Sequence, residues 1–123
     1  MQRRNTRQRE LIRDTIEQAG RPLSPAEIHH LAHRRLPGLG IATIYRNLRL
    51  LTAEGWLTPV ELPGEPARYE RAGKDHHHHF HCRRCRRLFE LEGCALRRRL
   101  AVPPGFRAES HELILHGLCA RCA

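Results

Sequence analysis

No apolar run in the 123 residues is long enough to cross a bilayer, and no secretory leader opens the chain. A membrane partner is therefore not expected, and a cytoplasmic location is. The helical zinc-protease pattern His-Glu-x-x-His is missing. Ser110, His111 and Glu112 are consecutive on a predicted strand, so they cannot converge as a catalytic triad. The chain reads as no enzyme, with no small-molecule substrate. Acidic residues are scarce too: 13 Asp and Glu stand against 22 Lys and Arg, which gives a formal charge of +9 and a pI of about 10.6. Such an excess favours a polyanionic partner, most simply nucleic acid. In a reducing compartment the five cysteines are metal ligands or reactive thiols before they are disulfides.

What the chain has in quantity is imidazole next to thiol. Asp75-His76-His77-His78-His79-Phe80-His81-Cys82-Arg83-Arg84-Cys85 collects the donors that zinc and its neighbours in the first transition row prefer. A second pair, Cys119-Ala120-Arg121-Cys122, ends the chain. Two C-x-x-C turns each aim two sulfurs at one point, so Cys82, Cys85, Cys119 and Cys122 can enclose one structural zinc ion. The long stretch between the pairs must then form structure of its own, with the chain end pinned back behind the histidines. Cys94 is left over.

The first half reads as helices. Met1 to Arg9 is a basic arm whose Arg7 and Arg9 could lie along phosphates. Leu11, Ile12, Thr15, Ile16 and Ala19 fall at helical spacing, and Gly20 stops that helix. Leu23-Ser24-Pro25-Ala26-Glu27-Ile28 has the parts of a helix start: Ser24 as cap, Pro25 at the first position, Glu27 closing a capping box, and Leu23 stapling onto Ile28. A third helix runs from about Gly40 to Glu54, its stripe made by Ile41, Ile44, Leu48 and Leu51. Ala42, Arg46, Arg49 and Ala53 lie near the opposite face with Tyr45 on the edge, small and basic enough to enter a major groove. Strand-like runs from Trp56 to Leu62 and Ala67 to Arg71 flank a turn-rich tip, which makes the whole a winged helix over residues 1–72.

Residues 73–123 have too little chain for a large core. His77 to Cys82 and Arg86 to Leu91 read as a hairpin around the first Cys pair, Gly93 to Leu100 as a short helix, and Phe106 to His116 as a third strand. The expected fold class is α+β, a winged-helix (helix-turn-helix) domain followed by a small α/β dimerisation domain with a four-cysteine zinc site. A thin core and an open sheet edge argue that this second domain makes a homodimer.

Thr6-Arg7-Gln8-Arg9, Ala42-Thr43-Ile44-Tyr45-Arg46-Asn47-Leu48, the histidine run into Cys82-x-x-Cys85, and His116-Gly117-Leu118-Cys119-x-x-Cys122 occur in this order. Together they resemble the ferric uptake regulator family of metal-dependent repressors over nearly the whole chain. The Gly-Leu-Cys ending is most similar to its zinc uptake regulators. The resemblance implies double-stranded operator DNA as partner, touched by Tyr45 and Arg46 with Thr43 in the same motif. It also implies a second, regulatory divalent metal, zinc before ferrous iron, on His76, His78 and His111. Where the family places a Glu as fourth ligand, the nearest position here is Cys94, with Glu92 close by; Cys94 is the softer donor and favours zinc.

Strand alternation sends His77 and His79 to the opposite face. By the same resemblance they would build a hinge site between domains with Glu70 and Glu90. Pro22, Thr58 and Ala72 fall where relatives carry hinge ligands, so that site is incomplete or uses other residues. Histidines 29, 30 and 33 read as ordinary surface or core residues. An iron or peroxide sensor of the same family, and a constitutive zinc-ribbon module that grips nucleic acid whatever the metal supply, are the alternatives.

Overall fold

Residues 2–94 and 101–123 are described by a computed structural model. They fall into two units, Met1–Gly73 and Lys74–Ala123. Helix α1 spans Gln2–Ala19 and takes in the whole basic arm expected to precede it. Arg and Gln are good helix formers, so the arm needed no apolar stripe to continue the helix that Leu11, Ile12 and Ile16 bury. Gly20, at φ 64°, turns the chain out of it.

Helix α2, Pro25–Ala32, starts as its residues dictate. The Glu27 N–H donates to Ser24 Oγ at 3.2 Å and the Ser24 N–H to Glu27 Oε1 at 3.1 Å. Arg21 then holds the other carboxylate oxygen of Glu27 at 2.7 Å. Ser24→Ala removes one arm of this box and is expected to lower the stability of the first unit by about 0.5–2 kcal/mol, read as a shifted urea midpoint at unchanged slope.

Helix α3, Ile41–Ala53, buries Ile44, Leu48 and Leu51, with Asn47 donating from Nδ2 to the Thr43 carbonyl at 2.9 Å. Strands β1, Leu57–Val60, and β2, Arg68–Arg71, pair antiparallel, Leu57 against Arg71. An unexpected third piece joins them: Leu23 bridges Tyr69 through two backbone bonds of 3.1 and 2.8 Å. Leu23 thus does more than staple α2; it ties the helix start to the wing. The core that results runs through Leu11, Ile12, Ile16, Leu23, Ile28, Leu39, Ile44, Leu48, Leu51 and Leu57. Trp56 flanks it, with the guanidinium of Arg13 4.6 Å and that of Arg71 5.1 Å from its ring centre.

The second unit holds β3, His78–Cys82, β4, Leu88–Leu91, and β5, Ile114–Gly117, in the order β4-β3-β5. β3 and β4 form the expected hairpin, with His79 opposite Glu90. The third strand differs from expectation. It covers Ile114–Gly117 instead of 106–116, and it runs parallel to β3, His81 beside His116. Residues 103 to 113 are not strand: Pro103-Pro104-Gly105 turns the chain, and Phe106 is 69% exposed. Of the helix expected over 93–100, Gly93 and Cys94 are not helical, and 95–100 lie outside the described residues. Among the described residues of this unit, Cys82 and Leu88 are the buried apolar side chains. So small a core does not hold a unit of this size together by itself.

Candidate metal centres and nucleic-acid face

Each C-x-x-C pair sits on a tight turn. The Cys85 N–H faces Cys82 Sγ at 3.5 Å, and the Cys122 N–H bonds the Cys119 carbonyl at 3.0 Å. Arg83 donates its N–H to the Gly117 carbonyl at 2.8 Å, which sets the two turns side by side. All four sulfurs lie within 4.8 Å of one another, and Cys85 Sγ is 3.9 Å from Cys119 Sγ. Zinc–sulfur bonds of about 2.3 Å in a tetrahedron place sulfurs about 3.8 Å apart, so Cys85 and Cys119 stand at the separation of a tetrahedral zinc site and all four sulfurs are close enough to share one ion.

The protonation of this cluster points the same way. Backbone N–H groups, that of Cys119 foremost, stabilise the Cys82 thiolate and bring its pKa down from 9.0 to about 5. Burial pushes Cys119 up, but the N–H groups of Cys122 and Arg121 more than offset it and the net shift is downward. Cys122 is pushed up to about 12, by burial and then by the sulfurs around it. Crowded thiols that cannot all ionise together are what a divalent cation relieves.

The second cluster joins His76, His78, Cys94 and His111. His76 Nε2 lies 3.1 Å from both His78 Nε2 and His111 Nε2, and the last two are 3.3 Å apart. Cys94 Sγ is 3.2 Å from His78 Nε2 and 3.4 Å from His111 Nε2. Metal–nitrogen bonds of about 2.0–2.1 Å in a tetrahedron space the donors by about 3.3 Å. Hydrogen bonding alone does not account for the cluster. A neutral ring has one N–H, so among three Nε2 atoms in mutual contact at least one pair cannot match a donor to an acceptor. His78 is buried, and its burial, then the neighbouring His76 and His111, holds its pKa below the ordinary imidazole value. Lowering that pKa keeps the ring in the neutral form that ligates.

On the other face of β3, the rings of His77 and His79 are edge to face at 4.9 Å. His77 Nδ1 donates to the Asp75 carbonyl at 2.8 Å, which leaves Nε2 facing Glu90 Oε1 at 3.7 Å. Glu90 also pairs with Lys74 Nζ at 3.2 Å. Glu70 is on β2 of the first unit, opposite Thr58. His81 and His116 were not singled out by sequence reasoning, yet the parallel register sets their rings 5.6 Å apart. Their signal is visible only once β5 is known to run parallel. His29 bonds the Leu39 carbonyl at 3.1 Å and stacks on His33, an ordinary structural use.

On α3, Tyr45 is 48% exposed and Arg46 and Arg49 are open to solvent, while half-buried Thr43 accepts from Arg46 Nη2 at 3.2 Å. Arg7 lines two shallow hollows of about 310 and 390 Å³, one shared with Arg4, Gln8, Leu36 and Gly38, the other with Glu10, Asp14 and Arg35. Arg9 has another partner, Glu54 at the end of α3, at 3.5 Å. Among the described residues no helix is long and apolar enough to cross a membrane.

Known proteins resemble this chain over nearly its whole length. The ferric uptake regulation protein of Campylobacter jejuni is 31% identical over 122 residues, which cover 95% of this chain and 78% of that protein. The zinc uptake regulation protein of Mycobacterium tuberculosis is likewise 31% identical over 122 residues, with 97% of this chain and 94% of that protein covered. The structure of the Helicobacter pylori ferric uptake regulator, described as having three functional metal-binding sites, superposes with a TM-score of 0.69 at 26% identity, over 94% of this chain and 79% of that one. The model of the ferric uptake regulator family matches residues 1–116. This chain belongs to the ferric uptake regulator family, whose members are dimeric, metal-responsive transcription regulators that bind DNA.

Proposed function

We propose that the chain is a zinc-sensing repressor that binds operator DNA as a homodimer. Cys82, Cys85, Cys119 and Cys122 would hold a structural zinc, and His76, His78, His111 and Cys94 the sensed ion. One observation carries the reading: four donors of the second cluster converge, five of their six separations lie between 3.1 and 3.4 Å, near the edge of a tetrahedral site, and one donor is a thiol. A thiolate favours zinc over ferrous or manganous ions. The ferric and the zinc regulators named above are equally similar to this chain, so the thiol, not the identity, supports zinc.

Bound there, zinc supplies a cross-link between distant parts of the chain. His76 and His78 bring the start of β3, His111 the approach to β5, and Cys94 the segment after β4. His76 follows the unit boundary at Gly73 closely, so fixing its ring fixes the chain where the units join. The two α3 helices of a dimer can then be held at the spacing of two half-sites, about one helical turn apart. Thr43, Tyr45, Arg46, Arg49 and Arg7 would meet the duplex. His77, His79 and Glu90 on the second unit remain candidates for a further ligand set.

Gel-shift titration against an operator selected from random duplexes tests this. Zinc is expected to tighten binding by roughly 5- to 150-fold, the range of ordinary allosteric coupling. Cys94→Asp is expected to move the response from zinc toward iron or manganese, as an oxygen donor should. Equal affinity with and without the second metal, in protein that keeps its four-cysteine zinc, would replace this reading with the constitutive module. A response to ferrous ion but not to zinc would replace it with the iron sensor.

A further inference from the structure

The four-cysteine knuckle carries arginines in numbers that its metal chemistry does not require. Arg83 and Arg84 lie between the first two thiols, Arg86 and Arg87 follow them, and Arg121 lies between the last two. No acidic residue occurs from Cys82 to Leu88 or from Gly117 to Ala123. Arg83, Arg84, Arg86 and Arg121 are exposed, and Arg87 is half-buried. A zinc ion on four thiolates carries a net negative charge, and cancelling that would employ some of these guanidinium groups but not all.

The arginines differ in how they are paired. In the first unit Arg9, Arg21, Arg35, Arg68 and Arg71 each face a carboxylate. Arg7, Arg46 and Arg49, which the proposed function assigns to DNA, pair with none among the described residues. Among the described residues no carboxylate pairs with Arg83, Arg84, Arg87 or Arg121 either, and the Arg84 side chain bonds the Cys122 carbonyl at 3.4 Å. Backbone strain is a second, independent observation. Arg86 has φ 67°, the one non-glycine residue in left-handed conformation among those described, at a place in the knuckle where glycine would fit without strain. A guanidinium thus stands at a turn position that glycine could fill at less cost.

We propose that this arginine-rich knuckle is a second nucleic-acid-binding surface, one that grips phosphates without reading sequence. Guanidinium groups match phosphate oxygens in charge and geometry, and such contacts add affinity to every sequence alike. The surface rests on the Cys turns and on the arginines, and is independent of which metal the histidine cluster senses.

The test uses the full-length, zinc-loaded protein and a short mixed-sequence duplex with no operator symmetry, with affinity followed by fluorescence anisotropy over a range of salt. Arg83→Ala/Arg87→Ala/Arg121→Ala is expected to weaken binding about tenfold and to flatten the plot of log affinity against log salt by about 2 to 3 units, one per lost phosphate contact. Its zinc content and melting temperature should be unchanged, and its preference for operator over this duplex should hold. That last readout separates failure here from failure of the proposed repressor, because operator preference belongs to α3.

Arg84→Ala guards against a folding artefact: that side chain makes one long bond to the Cys122 carbonyl, so its loss should leave the melting temperature of the second unit nearly unchanged while still lowering the salt slope. An unchanged slope in both variants overturns the proposal. So does loss of poly-glutamate binding in the triple variant with duplex binding intact, a result that would assign the surface to an acidic protein segment instead.

Discussion

Cys82→Ser is expected to remove one zinc ion per chain and, with it, the cooperative melting of the second unit. Cys82 is the buried member of the four and the one whose thiolate the backbone N–H groups most strongly stabilise. A serine hydroxyl at that point is neutral and hard, so three sulfurs are left to hold an ion that needs four donors. The buried apolar side chains of this unit among the described residues, Cys82 itself and Leu88, cannot make good the loss. Structural zinc sites contribute about 10–16 kcal/mol in small zinc-stapled modules, more than the whole stability of most domains. The first unit has its own core from Leu11 to Leu57 and should still melt as before. Elemental analysis with near-ultraviolet circular dichroism checks both halves. A variant that keeps its full zinc content and both transitions would show that these sulfurs do not hold the ion.

The features legible in the sequence were those encoded locally. Ser24, Pro25 and Glu27 announce the start of α2 because a capping box needs those groups at that spacing. Gly20 marks a helix end because it takes a left-handed angle there. The β3–β4 hairpin was legible because two strand-like runs flank a C-x-x-C turn. What escaped was non-local. A parallel strand has no turn that announces it, and the crossover to β5 passes through residues with little periodicity, so β5 was drawn too long and its register could not be read. The extension of α1 to Gln2 escaped for another reason: its charged first turns have helix propensity but no apolar stripe. The place of Cys94 beside His78 and His111 could be suggested by resemblance only, since nothing in its neighbours sets it there. Arg9 looked like part of a phosphate-binding arm, and its pairing with Glu54 depends on how α1 and α3 pack.

His78→Ala should abolish metal control of DNA binding while leaving the protein folded and its four-cysteine zinc in place. Among the histidine-cluster ligands His78 is the buried one, and its Nε2 lies within 3.3 Å of His76, His111 and Cys94 alike. Its loss therefore opens the centre of the site, whereas an exposed ligand such as His76 could be replaced in part by water. Operator affinity of the variant should stay at the metal-free level whatever the zinc concentration, a loss of the roughly 5- to 150-fold response. Metal analysis should find one ion fewer than in the unaltered chain. Acidity should act on the same atoms. Protons compete with the metal for imidazole nitrogen, so the zinc response of the unaltered protein should fade as pH drops below the ordinary imidazole value toward the lowered one of His78. The metal-free protein has a related dependence with a definite sign. The folded state holds the His78 pKa below its unfolded value, so the unfolded chain takes up the proton first. Stability is then full above about 6.5 and declines as pH falls from there toward the lowered folded value. In His78→Ala that decline should be smaller, measured as urea midpoints across pH 5 to 8 under chelation of the histidine site alone. A metal-independent variant with an undiminished acid decline would place the titrating group elsewhere, and a His78→Ala protein that still tightens on its operator with zinc would remove His78 from the sensing site.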